Sequence, residues 1–419
     1  MNRAADTGPG RPPHEPSPPG PEDTLLDALR GPALPSHLYI HVPFCRTKCS
    51  YCDFVSITDL SDLRVEPVCR GLEGEVARWA AASLPGVLET VYIGGGTPTI
   101  LAARLIGLVR SVFDSLPHTP SCEVTVEANP DSWTPLLAEG LAATGVTRIS
   151  LGVQSFDERT LALLGRVHTV AEAVDAARSI RLSGLDLSVD LMCGIPGLRD
   201  EVWVDTLQQA VATGAGHISV YPLTLEENTP LAVACGSGLV VAPDSDQAAD
   251  QMLLAEEVLS SAGLNRYEVS NYARTGNESR HNLAYWTGRP YIGVGPAAHG
   301  MLEAATASAV GMVDSLEAAS AARIRYGQSP DVDRWLTGAE PEIELLDAVE
   351  VGREDIMLGL RLTRGVSAAA VSMAGLEAAV GELVEEGLVE RYSAGAGRYR
   401  TTQRGWLLGN EVFARIWEG

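Results

Sequence analysis

The stretch HVPFCRTKCSYCDF, residues 41–54, places Cys45, Cys49 and Cys52 within eight residues in a CxxxCxxC spacing. It follows directly on a short β-rich run, HLYIHV (37–42). Soft thiolates select zinc, copper(I) or iron–sulfur clusters. Structural zinc needs a closed tetrahedral ligand set, and His41 or Asp53 would have to help complete it. A four-iron cluster held by three thiolates instead leaves one iron open to a small molecule. Three unligated structural thiols fit poorly, because a polar loop gives them nothing to bury against.

Working outward, further β-rich runs follow: TVYI (90–93), CEVTVEA (122–128), TRISLGV (147–153), LDLSVDLM (185–192) and HISVYPL (217–223). Between several of them lie segments with helical apolar spacing, at 102–116, 170–184 and 200–214. Strands alternating with helices predict a parallel sheet of βα units. The six units from 37 to about 230 make either an open sheet or an incomplete barrel. The unusual residues collect after the runs, as PFCRTKCSYC, GGGTPT, NP, QSF, CGIPG and TLEENTP. The C-terminal ends of parallel strands are where such folds bind ligands. The pattern therefore predicts one shared site with the three cysteines on its edge.

The flanks are less regular. Residues 1–36 are Pro-rich and predict a disordered tail. Beyond 240 the alternation stops: 245–264 reads as a helix, 265–300 is polar and aromatic, and the alanine-rich 302–335 predicts helix. In 341–419 the order helix–helix–strand–turn–strand–helix predicts a winged-helix-like unit. Residues 340–419 hold eight Arg or Lys against fourteen Asp or Glu, so a structural or protein-contacting role is expected rather than DNA binding. The division expected is thus 1–36, 37–240, 241–340 and 341–419.

Composition narrows the partners. The 419 residues carry a formal charge of −23, which argues against gripping nucleic acid through phosphates or docking on an anionic membrane. No apolar stretch is long enough to span a bilayer, and the N-terminus does not read as a secretory signal. Seven cysteines, unevenly placed, predict a reducing, cytoplasmic setting.

Cys45, Cys49, Tyr51 and Cys52, as CxxxCx(aromatic)C, resemble the signature of the radical S-adenosylmethionine (SAM) superfamily. LYIHVPFCRTKCSYCDF, VYIGGGTPT, VEANP, SLGVQSF, LGRVHT and VDLMCGIPG together resemble its oxygen-independent coproporphyrinogen III oxidase group. The resemblance implies an incomplete (β/α)6 radical SAM barrel with a C-terminal α+β extension. It implies a [4Fe-4S] cluster on Cys45, Cys49 and Cys52, whose open iron is chelated by the methionine part of SAM. Gly95, Gly96 and Thr97 are then expected at the methionine amino end, and Arg166 bidentate on a carboxylate. Asp190 would accept from the ribose hydroxyls, with Glu127 and Gln154 contacting SAM and Tyr39 and Tyr51 flanking it.

Two departures separate the chain from the oxidase. The oxidase motif continues to a further cysteine where this chain has Phe54, and the oxidase carries a longer structured N-terminal segment. Instead HNLAYW (281–286) resembles the HNxxYW motif of the haem-chaperone (HemW) branch. That implies haem as cargo, haem-accepting proteins as partners, and His281 as a haem-contacting residue on an open polar segment. A cluster-dependent homodimer is a further expectation. The rival expectation is coproporphyrinogen III oxidase activity in porphyrin biosynthesis.

Overall fold

The computed structural model describes residues 34–82, 86–392 and 397–419. The expected tail, 1–36, lies outside the described residues except for 34–36. Six parallel strands come first: β1 (His37–Val42), β2 (Leu88–Gly95), β3 (His118–Ala128), β4 (Arg148–Gln154), β5 (Asp186–Cys193) and β6 (His217–Pro222). They lie side by side in chain order. β1 and β4 are nearly all buried, as strands covered on both faces must be, while β3 starts and β6 ends in exposed residues. In β1 the even positions Leu38, Ile40 and Val42 join the apolar core. The odd positions His37, Tyr39 and His41 share the opposite face with Tyr92 and His281. The barrel interior is therefore polar and aromatic.

The helices Ala103–Ser115, Val170–Leu182 and Asp200–Ala212 sit where the helical spacing predicts. Val170–Leu182 starts at a capping box in which Thr169 and Glu172 satisfy each other's backbone N–H groups.

Past residue 240 the sheet grows rather than stops. β9 (Tyr291–Val294) adds parallel to β1. β10 (His299–Glu303), β11 (Arg323–Gly327) and β12 (Glu342–Leu346) follow antiparallel. At the other edge β8 (Asn271–Ala273) pairs antiparallel with β6, and β7 (Asn265–Arg266) with β8. The result is one 12-stranded sheet. The alanine-rich 302–335 is accordingly not one helical region. It holds the end of β10, the helices Ala304–Ala309 and Ser315–Ser320, then β11 and the helix Val332–Leu336. Gly311, in a left-handed conformation, and the Asp314 cap break the helix, and the alternating ARIRYG pairs with a waiting sheet edge.

The C-terminal part has its own core, built around Ile356, Leu360, Val380, Leu383, Val412 and Ile416. The helix Ala348–Gly359 leads into β13 (Val366–Ser367), two helices, then β14 (Val389–Tyr392) and β15 (Arg398–Thr401). These three strands form a separate antiparallel sheet in the order β13-β15-β14. Among the described residues no helix is long and apolar enough to cross a membrane.

Candidate functional site

The cysteine loop leaves the C-terminal end of β1 and is pinned at its base. Cys45 N donates to Ile57 O at 3.0 Å and Ile57 N to Pro43 O at 2.7 Å. The His41 imidazole reaches Val55 O at 2.9 Å. Midway, Ser50 N donates to Leu164 O (3.1 Å), Ser50 Oγ to Leu163 O (2.9 Å), and Leu231 N to Ser50 O (2.8 Å). The cysteines thus sit on a loop fixed from three directions. All three are free thiols and half-buried. Burial pushes Cys45 and Cys52 upward, which favours the thiol until a metal takes the proton's place. Among the described residues no three His, Cys, Asp or Glu side chains converge tightly enough for a single ion. The corners of a cluster lie farther apart than the ligands of one metal. His41 is no zinc ligand here, since its other nitrogen faces the Tyr39 hydroxyl at 3.1 Å.

The second rim loop packs against the first. A side chain at Gly96 would fall 2.5 Å from Phe44 O, and one at Gly95 (φ +105°) 2.5 Å from the His41 ring. The close approach these glycines permit is to the chain's own cysteine loop, not to an open ligand space. Their N–H groups are spent: Gly95 on Glu127, Gly96 on Val42 O, Thr97 on Phe44 O. What remains for an ammonium group is carbonyl oxygen, the acceptor it requires. Thr97 Oγ1 donates toward Cys45 Sγ at 3.7 Å and accepts from Asn129 Nδ2 at 2.9 Å.

Arg166 ties the fourth loop to the first. Its Nη2 donates to Asn129 Oδ1 (2.7 Å) and Gly152 O (2.6 Å), and its Nη1 to Cys49 Sγ (3.4 Å). The fork expected to take a carboxylate bidentately is therefore already engaged. Only Nε, buried, lacks a partner. Gln154 ends β4 in the left-handed region at φ +67°, beside a bulge between Gly152 and Gln154. A Cβ at Gly152 would lie 3.0 Å from Asn129 Oδ1, 3.1 Å from Gln154 Nε2 and 3.5 Å from Arg166 Nη2, so these three meet over it. Such strain at a rim position marks a residue aimed by its surroundings.

Deeper inside lie two carboxyls. Burial pushes Glu127 up to about 7, with Asp190 adding, while the Tyr92 hydroxyl (2.9 Å) and Gly95 N–H (3.0 Å) counter it. Burial pushes Asp190 up to about 6, opposed by the hydroxyls of Ser219 and Ser150, the latter at 3.0 Å. Asp190 lies three residues before the end of β5 rather than at it. Tyr221 on β6 is 42% exposed although protein surrounds it, so it faces the same interior cleft. Tyr39 is held near the cleft by His41, and burial pushes the Tyr51 hydroxyl up beside Arg166.

His281 lies elsewhere. The helix Arg280–Trp286 plugs the N-terminal end of the barrel, starting under Glu123, which accepts from His281 N at 3.1 Å. His281 is 1% exposed. Its Nδ1 is 2.7 Å from Thr90 Oγ1 and its Nε2 2.9 Å from the Tyr285 hydroxyl. Tyr92 stacks on the ring at 5.2 Å. The expectation of an open, surrenderable haem contact is corrected: neither nitrogen is available to iron in this arrangement. Asn129, by contrast, is marked in the sequence only by the NP after β3; its role shows in the links to Thr97 and Arg166.

Residues 39–210 match the Radical SAM superfamily model. A heme chaperone HemW of Mycobacterium tuberculosis (strain ATCC 25618 / H37Rv) is 37% identical over 385 residues, 91% of this chain and 94% of its own length. A heme chaperone HemW of Bacillus subtilis (strain 168) is 33% identical over 388 residues, 90% and 97% of the two chains. Among solved structures, coproporphyrinogen III oxidase (HemN) from Escherichia coli superposes with a TM-score of 0.75 over 95% of this chain and 93% of that one. At 18% identity this is a likeness of fold alone.

Radical SAM proteins carry a [4Fe-4S] cluster and SAM, and the residues here fit both. Three free thiols share one pinned loop, Arg166 Nε is buried without a partner, and two raised carboxyls line the interior behind them. When bound, the cluster supplies an electron and an open iron for the methionine end of SAM. On the length and identity of its relatives, the chain belongs to the radical SAM superfamily, in the HemW branch of its coproporphyrinogen III oxidase-like group.

Proposed function

We propose that this chain binds haem and delivers it to haem-requiring proteins, with a [4Fe-4S] cluster on Cys45, Cys49 and Cys52 and SAM beside it. The observation that carries this reading is the 37% identity, over 91% of the chain, to a protein named heme chaperone HemW. Phe54, 68% exposed where the oxidase has a cysteine, supports it. SAM is held on this reading by Gly95, Gly96 and Thr97 at its amino end, with Glu127, Gln154, Arg166 and Asp190 deeper and Tyr39 and Tyr51 alongside. Residues 37–240 form the partial barrel and 241–340 an extension; of the unit expected over 341–419, β12 joins the main sheet, so the winged-helix-like part begins at the helix Ala348–Gly359, and its excess of acidic residues suits a protein partner. The setting is cytoplasmic, and the cluster supports a homodimer.

The test is a titration of anaerobically reconstituted protein with haem, beside an assay with coproporphyrinogen, SAM and reductant. Stoichiometric haem uptake without decarboxylation is expected. Conversion to protoporphyrinogen without haem uptake would replace this reading by the oxidase.

A further inference from the structure

Haem iron takes an axial ligand, commonly a neutral imidazole. The chain has eight histidines, of which His14 lies outside the described residues. His37, His41, His168, His217 and His281 are each at most 4% exposed, and each spends a ring nitrogen on a hydrogen bond within the fold. His118 is exposed, but it opens β3 at the end of the sheet opposite the cysteines, and its ring packs on Phe113 at 4.4 Å.

His299 is differently placed. It opens β10, immediately after the turn 295–298. β9 runs parallel to β1 and Val294 pairs with Ile40, so this turn lies on the rim that carries the cysteine loop. The two meet at His41. A side chain at Gly295 would fall 2.5 Å from His41 O, while the His41 imidazole holds Val55 O of the cysteine loop. Phe54, the exposed apolar residue of that loop, is the next residue along.

The imidazole of His299 is unspent. Its side chain is exposed, and its ring has no hydrogen-bond partner among the described residues. Its partner on β11 is Gly327, where a Cβ would stand 3.0 Å from the imidazole Cε1. On β9 a side chain at Gly293 would run into the His299 carbonyl. The imidazole thus lies over Gly327, in the place a side chain of β11 would take, and that strand sets no side chain of its own on it there. We propose that His299 is the imidazole that ligates haem iron, with the porphyrin lying on this face of the rim toward Phe54. The assignment rests on the haem-binding reading above and names its ligand.

Full-length, cluster-reconstituted protein titrated with ferric haem tests it. Losing even an outer-shell partner of a metal site costs about 10–100-fold, so His299→Ala should weaken haem at least about tenfold. It should also shift the Soret band, and free imidazole in the buffer should restore the wild-type spectrum. Gly327→Val, which keeps the histidine but crowds its ring, should weaken haem as well. His118→Ala and His281→Gln should leave the Soret band unchanged. If wild type takes up haem and His299→Ala matches it in affinity and spectrum, or if His281→Gln alone shifts the band, His299 is not the ligand and the chaperone reading stands. If wild type takes up no haem, that reading falls and this assignment with it.

Discussion

The two ends of the barrel are made of the same residue types and differ in what is left over. At the N-terminal end, His37, Thr90, His281, Tyr285 and Glu123 close on one another. Burial holds His37 at about 4 and His281 well below the usual histidine range, so both rings stay neutral. Their polarity is spent inside the fold, and the end is a seal. At the C-terminal rim, three thiols are free, Arg166 Nε has no partner, and two carboxyls sit at raised values facing a cleft. An unspent polar group in a buried place is costly unless something comes to meet it. The difference separates a structural polar cluster from a functional one more sharply than composition does.

The strongest way to break the comparison is at the cysteines. Cys45→Ala, Cys49→Ala and Cys52→Ala should each abolish four-iron, four-sulfide content after reconstitution, because no other ligand side chain converges on them. Cys69, Cys122, Cys193 and Cys235 should be dispensable, the first three being buried in the core. Iron and sulfide analysis decides it. A cluster persisting in all three single variants would show that the rim is as self-sufficient as the seal.

Next in size are the rim clamps. Asp190→Ala should weaken SAM while leaving the cluster, at about 1.5–3 kcal/mol for a lost charge-assisted bond, or roughly tenfold or more. Arg166→Ala should do the same and in addition lower stability. It leaves Asn129 Oδ1 and Gly152 O without their donor and frees Cys49 from its guanidinium. Calorimetric titration with SAM beside a thermal melt separates the two effects. Unchanged SAM affinity in both variants would put the cosubstrate elsewhere.

Much of this was legible in the sequence, and the limits are physical. β1 to β6 put Leu, Ile or Val on the core face, so each shows as a β-rich run, and the residues after each run gather at one rim. β7, β8 and β9 span two, three and four residues, too short for any period to register. β10 and β11 build outward from β9, whose own place is set by the distant β1. The polar segment around His281 reads as open. Its partners Thr90 and Glu123 are 191 and 158 positions away, and no local pattern shows that its nitrogens are satisfied. Nothing in the sequence singles out His299 in the same stretch, because exposure, unlike spacing, is a property of the fold.

The smallest expected effect is the pH dependence of the inner carboxyls, and it runs in two directions. A glutamate ordinarily titrates at 4.5, while burial holds Glu127 at about 7 in the folded chain. Between those values the folded chain keeps a proton that the unfolded chain has released. The associated stability is therefore full below the unfolded value and is lost as pH rises through about 7. Asp190, at about 6 against 3.8, adds in the same sense over a lower window. The melting midpoint of the ligand-free protein should fall by a few degrees as pH is raised through this range, relative to Glu127→Gln. SAM is a cation and binds the ionised carboxyls better, so its affinity should rise over the same interval. In Glu127→Gln both trends should flatten, because glutamine keeps an acceptor for Tyr92 and Gly95 N–H without a proton to lose. Parallel pH profiles for stability and SAM affinity would mean that Glu127 is sealed like His281 and does not belong to the open end of the barrel.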